Sequence, residues 1–339
     1  MKKSSKNRVF LIIALTGLIS VNMMAATPDW RVAIKATKNS DYFKSIAVID
    51  DDTVYAITNS SKIYKTTDRG QTWTTSAISF WQKGTQPRAV SFANAKVGYI
   101  AGDNSIIKTT DYGKTWTKFT DPGVEMISSV YAISADTCYF GAKGAVLYTY
   151  DGGKTISSTS VSAGLSSLCV TNDGSIYRGG NDGGIYKSVN NAQSFKVASN
   201  KNTTSYIDNQ ISGIYFSDNN TGYVAGLKKS GEAPFANNLL KTTDSGKTWK
   251  GISLGITSAL NTKGPLGVFI PSKGIGYVVG LIPNEGEIYI LRTTDSGATF
   301  TSDTAGALLT DYYAVSITPY GDVYVAGNGC LLYRQAGKK

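Results

Sequence analysis

Thr66-Thr67-Asp68-Arg69-Gly70-Gln71-Thr72-Trp73 recurs five more times along the chain, and that recurrence decides the fold. The copies align without gaps at residues 109–116, 149–156, 188–195, 242–249 and 293–300, in the pattern Ser/Thr-x-Asp-x-Gly-x-Thr-Trp/Phe. The third copy ends in Ile156, and the fourth has decayed to Asn190 and Ala192. The pattern has the physics of a hairpin turn. Its carboxylate accepts hydrogen bonds from backbone N–H groups of its own turn, and its glycine supplies positive φ. The terminal aromatic then leads into the next strand and packs on a neighbouring sheet. Structural roles follow for Asp68, Gly70, Trp73, Asp111, Gly113, Trp116, Asp151 and Gly153. The same roles fall to Asp244, Gly246, Trp249, Asp295, Gly297 and Phe300. A catalytic pair is made once, whereas these carboxylates return at the same turn in each unit, so no catalytic residue is assigned among them.

Outward from each copy the sequence is strand-like. Ile63-Tyr64-Lys65, Ile106-Ile107-Lys108 and Leu239-Leu240-Lys241 lead directly into it. Gly98-Tyr99-Ile100-Ala101-Gly102, Gly222-Tyr223-Val224-Ala225-Gly226 and Gly276-Tyr277-Val278-Val279-Gly280 lie further upstream, and Ala89 to Phe92 and Gly213 to Phe216 further still. With the strand entered by the boxed aromatic, each unit holds four antiparallel strands in roughly forty residues, the arithmetic of a propeller blade. The boxed positions 68, 111, 151, 190, 244 and 295 are spaced by 43, 40, 39, 54 and 51 residues. Val323 to Gly327 and Leu331 to Tyr333 supply strands of a last unit, and Trp30-Arg31-Val32-Ala33 follows Asp29 as boxed aromatics follow their turns. The sequence therefore predicts an all-β, seven-bladed β-propeller whose N-terminal strand closes the last blade and removes the open edges.

At these residues the chain resembles the Asp-box (BNR-repeat) superfamily, and within it the photosystem II stability/assembly factor-like proteins. The resemblance rests on boxes such as Thr242 to Trp249 paired with an upstream Val-x-Phe-x-x-x-x-x-Gly-Tyr-x-x-Gly, as in Val90 to Gly102 and, with Ile first, Ile214 to Gly226. It covers nearly all of residues 29–335. It implies a non-catalytic exported propeller that holds other proteins. The box itself is a turn device shared by sialidases, other glycosidases, sorting receptors and assembly factors, so it says little about function.

Composition narrows the chemistry. The 339 residues contain no histidine, which removes serine–histidine and cysteine–histidine catalysis and histidine-centred zinc sites. Cys138, Cys169 and Cys330 are too few and too irregular for a disulfide framework. They are read as buried thiols, with a Cys138–Cys169 pair as the alternative. No cofactor and no metal are expected. Residues 1–26 carry Lys2, Lys3, Lys6 and Arg8, then an apolar run from Val9 to Val21 and the small pair Ala25-Ala26. This is the form of a secretory signal peptide, with Met24 departing from the small-x-small cleavage pattern. A periplasmic or secreted propeller over residues 27–339 is expected, with no membrane span after signal removal. Its loss lowers the formal charge from +10 to +6, spread along the chain without the Lys/Arg–aromatic runs of a nucleic-acid groove. No nucleic-acid partner is expected.

A sialidase would need three arginines converging on a sugar carboxylate, a tyrosine nucleophile and an acid. Six arginines follow the signal, and Arg31, Arg69 and Arg292 fall in the closing strand, a box and a position where other units hold lysine. The four glutamates are Glu125, Glu232, Glu285 and Glu287. The residues that break the repeat are more informative. Inserts at Leu227 to Phe235 and Leu281 to Glu287 leave the same propeller face as the connections between blades, opposite the boxes. That face collects Trp81, Lys83, Arg88, Tyr206, Lys228, Lys229, Phe235 and Tyr312 as candidate partner contacts. The sequence reading is thus a monomeric, non-enzymatic propeller binding a protein or peptide, with a carbohydrate-binding or sialidase-like propeller as the alternative.

Overall fold

The second strands of the repeats explain why the units must stack. Val54–Thr58, Gly98–Gly102, Cys138–Ala142, Ile176–Gly180, Gly222–Gly226 and Val323–Gly327 are buried along their entire length, on both faces. Such a strand needs a hydrophobic neighbour on each side, and only blades arrayed in a ring provide it. The outermost strands read the opposite way: Thr74–Ala77 is polar and exposed throughout.

The computed structural model describes residues 30–36, 41–81, 84–119, 123–162, 164–199, 207, 210–226, 239–255, 264–271, 274–282, 287–303 and 312–336. They form seven four-stranded antiparallel sheets. Blade 1 runs through Phe43–Val48, Val54–Thr58, Lys62–Thr66 and Thr74–Ala77. Blades 2 to 6 repeat that order, from first strands Pro87–Phe92, Ile127–Ala132, Leu165–Val170, Ile211–Phe216 and Gly264–Phe269. Blade 7 has no box: its strands are Tyr312–Ile317, Val323–Gly327, Cys330–Arg334 and, on the outside, Trp30–Lys35. The closing strand pairs Trp30 with Arg334 and Lys35 with Cys330, as expected from the sequence. First strands pack one against the next around the ring, including blade 7 against blade 1. Each also carries a register shift near its start, at residues 43/45, 87/89, 127/129, 165/167, 211/213, 265/267 and 312/314.

The Val-x-Phe…Gly-Tyr pattern has a packing cause. Phe92 stacks on Tyr55 of the preceding blade at 4.2 Å, and Phe216 on Tyr177 at 4.0 Å. Each phenyl ring then lies over the glycine that opens its own second strand. A Cβ on Gly98 would meet Phe92 at 2.5 Å, and one on Gly222 would meet Phe216 at 2.6 Å. Cys138, Cys169 and Cys330 are buried free thiols, and burial raises the pKa of each. Among the described residues no helix is long and apolar enough to cross a membrane.

Candidate functional site

The box carboxylates are fully committed to their own turns. Asp68 accepts from Thr66 Oγ1 at 2.7 Å, Thr72 N at 2.9 Å and Thr72 Oγ1 at 2.5 Å. Asp111, Asp151, Asp244 and Asp295 repeat the set with their own threonines. These bonds favour the ionised form and hold Asp68, Asp111, Asp151 and Asp244 down at about 2, with Asp295 depressed further. Acids held this way are poor proton donors at neutral pH. Because the folded state binds fewer protons here than the unfolded chain, stability is intact above the ordinary value of 3.8 and is lost as pH falls toward 2. The thermal midpoint, followed by circular dichroism, is expected to hold to about pH 4 and to fall steeply below it.

Two successive residues of each box adopt positive φ, not the glycine alone. Arg69 and Gly70 have φ of 60° and 74°, and in the decayed fourth box Asn191 and Ala192 have 57° and 65°. This turns the carbonyl between Asp and Gly toward the preceding blade, where two donors meet it. Tyr55 Oη and Lys65 Nζ reach the Tyr112 carbonyl at 2.8 and 3.0 Å. Tyr177 and Lys187 grip Ser245, and Tyr223 and Lys241 grip Ser296, at 2.7–3.0 Å. Tyr99 donates to the Ala135 carbonyl instead, at 2.8 Å, while Lys108 reaches both Ala135 at 2.7 Å and the box carbonyl of Gly152 at 3.0 Å. In blade 3 the lysine is replaced by Tyr148, and Tyr139 reaches the next box through Tyr150, whose hydroxyl donates to Asn191. From blade 1 to blade 6 the box face is therefore lined by inter-blade clasps. The sequence signal for them is a tyrosine at the second place of every second strand: Tyr55, Tyr99, Tyr139, Tyr177, Tyr223, Tyr277 and Tyr324. It was present in the repeat but reads from sequence only as strand propensity.

On the opposite face, Asp103 organises the start of blade 2. It accepts from Arg88 Nε at 2.6 Å and Gln86 N at 3.2 Å, while its carbonyl accepts from Trp81 Nε1 at 3.1 Å. Trp81 is buried against Ile78, Val90 and Ile100, whereas Arg88 stays partly exposed at the register shift of its strand. Lys44 occupies the matching place in blade 1, its ammonium 5.2 Å from the centre of the Tyr42 ring. Lys83, Tyr206, Lys228, Lys229 and Phe235 lie outside the described residues, and Tyr312 opens the first strand of blade 7. Among the described residues the large exposed apolar side chains of loops, Tyr112, Ile133, Tyr150, Val189, Ile275 and Tyr320, lie on the box face. Trp81, expected as an exposed contact of the other face, is instead buried.

Three of the arginines are ion-paired on separate blades: Arg88 with Asp103, Arg69 with Asp322 and Arg334 with Asp303. Arg178 is buried over the Tyr186 ring at 3.8 Å, and burial lowers its pKa.

The sequence profile of the family described as photosynthesis system II assembly factor YCF48 matches residues 21–159. The fold is similar to that of a solved YCF48 bound to D1 peptide, with a TM-score of 0.72, 17% identity, and 92% of this chain and 98% of that one covered. The chain is a seven-bladed β-propeller, similar to that family over residues 21–159. YCF48 from Cyanidioschyzon merolae is similar at a TM-score of 0.70 and 16% identity, covering 90% of this propeller and 98% of its own chain. A GH74 xyloglucanase from Xanthomonas campestris has a TM-score of 0.69 and 14% identity over 90% of this propeller and 53% of its own chain. At these identities the likeness is one of fold. No curated protein matches the propeller.

Proposed function

We propose that this propeller is an exported, non-catalytic assembly or stability factor that holds a protein or peptide segment on the face opposite its boxes. The observation that carries the reading is the likeness, over 92% of the chain, to a YCF48 propeller solved with a D1 peptide, together with the family profile over residues 21–159. The geometry agrees with it. The repeated carboxylates are consumed as turn acceptors, and the box-face carbonyls are consumed by clasps from neighbouring blades. On the other face Lys44 and the Asp103-paired Arg88 stand at the register shifts of adjacent innermost strands, where they offer donors to an acidic or C-terminal peptide segment. The signal-like residues 1–26 support the exported part of this reading.

The test is capture of partners from the native envelope and culture fluid by the intact propeller and by a variant carrying Lys44→Ala and Arg88→Ala. A defined protein retained by the first and lost with the folded variant supports the reading. If glycans bind instead, or a glycosidase screen shows turnover, the carbohydrate-active alternative replaces it. N-terminal sequencing of the exported chain checks the cleavage after Ala26.

A further inference from the structure

Blade 7 differs from the other six at the corner where a box would stand. Its third and fourth strands come from Cys330–Arg334 and Trp30–Lys35, and no box turn joins them. The corner opens instead into a cleft of about 360 Å³ on the box face, lined by Arg31, Arg69, Gln71, Tyr333 and Gln335. Box 1 is also unusual, because it alone puts a cation between the Asp and the Gly: the other boxes hold Tyr112, Gly152, Asn191, Ser245 and Ser296 there. Two departures from the repeat thus meet at one seam.

Both guanidinium groups are held by aromatic rings. Arg31 lies 4.4 Å over Tyr333 and Arg69 lies 4.2 Å over Tyr320. Their charges are balanced differently. Arg69 donates through Nε and Nη2 to the buried Asp322 at 3.1 and 2.9 Å, so its charge is compensated within the protein. Asp322 is further occupied by the Ala336 amide at 2.7 Å. Arg31 is exposed and has no carboxylate partner among the described residues. The usual clasp is also missing here. Tyr324, the clasp tyrosine of blade 7, has a buried hydroxyl with no hydrogen-bond partner among the described residues, and its ring lies 5.0 Å from that of Tyr333.

The geometry points to a carboxylate-binding site at this seam, with Arg31 as its anion-pairing group. A planar guanidinium fixed over a ring presents its donors as a fork that matches a carboxylate. The carboxamides of Gln71 and Gln335 supply neutral donors and acceptors for the rest of a small polar ligand. One uncompensated positive charge matches one carboxylate and under-compensates a phosphate dianion. The site lies on the face opposite Lys44 and Arg88, so it stands or falls independently of the peptide-holding surface proposed above.

Saturation-transfer NMR on the full propeller tests it, with four probes: N-acetyl-dialanine, its C-terminal amide, glucuronic acid and inorganic phosphate. Saturable binding of one of the two carboxylates is expected, about tenfold or more weaker for the amide and for phosphate. Binding of the peptide acid alone identifies a chain terminus as the source of the carboxylate, and binding of glucuronate alone an acidic sugar. Arg31→Gln is expected to abolish the response without moving the thermal midpoint, because Arg31 is exposed, and Arg31→Lys to keep part of it. No saturation by either acid, equal binding of acid and amide, phosphate binding as tight as the carboxylates, or an unchanged response in Arg31→Gln would overturn the assignment.

Discussion

A chain lacking residues 30–35 is expected to lose cooperative unfolding and to aggregate. Removal of the closing strand uncovers the Cys330–Arg334 strand of blade 7 along its length, leaving an open sheet edge. It also removes Trp30, which is buried edge-on to Tyr277 at 6.2 Å and donates from Nε1 to Asp303 at 3.3 Å. Loss of a buried tryptophan alone costs about 3–5 kcal/mol. That is a large part of the 5–15 kcal/mol or so by which ordinary domains are stable, before the lost ladder is counted. Trp30→Ala is the milder version, expected to lower the urea midpoint while preserving a single transition. Denaturation followed by circular dichroism and tryptophan fluorescence separates the cases. An unchanged midpoint in the truncated chain would show that the ring does not depend on its closing strand.

Raising the pH above 10 is expected to unfold the propeller with its clasp tyrosines still protonated. Burial, reinforced by Asp111 and Asp50, pushes Tyr55 up to about 12, and burial with Asp218 and Asp295 does the same for Tyr223. Tyr99 and Tyr177 are shifted in the same direction, burial again being the largest cause. The unfolded chain releases these protons near the ordinary value of 10.0, whereas the folded chain retains them. Stability is therefore complete below about pH 10 and drains away as pH rises toward 12. A phenolate could not donate to the Ser296 or Tyr112 carbonyl and would face the box carboxylates. In an alkaline titration, phenolate absorbance from these residues should appear together with the loss of circular dichroism. Tyr223→Phe removes only the hydroxyl and should cost about 1 kcal/mol. Tyr223→Ala also empties the space between blades 5 and 6 and should cost about 3–5 kcal/mol. Ordinary titration of all tyrosines near pH 10, with the fold intact, would contradict the clasp account.

The architecture was legible because its determinants are local and repeated. Six aligned turns, the strand pattern between them and the match of Trp30 to a boxed aromatic define seven closed blades without any knowledge of long-range contacts. The clasps were less legible because each is shared between two repeats. A tyrosine such as Tyr177 reads alone as a strand residue, and its target, the Ser245 carbonyl, is a backbone group 68 positions away. Trp81 shows the same limit. Its place in an inter-blade connection suggests an exposed anchor, yet Val90, Ile100 and the Asp103 carbonyl bury and bond it. The seam cleft was hidden for another reason. Arg31 and Arg69 are far apart in sequence, and only closure of the ring brings them to one place.

The most direct test of the peptide-holding face is photocrosslinking in the native cell. A benzoylphenylalanine is placed at position 44 or 88 on that face, or at position 150 or 189 on the box face. The account predicts one defined crosslinked protein from positions 44 and 88, with positions 150 and 189 silent. Crosslinks confined to positions 150 and 189, where exposed Tyr150 and Val189 lie, would contradict it and move the partner to the box face.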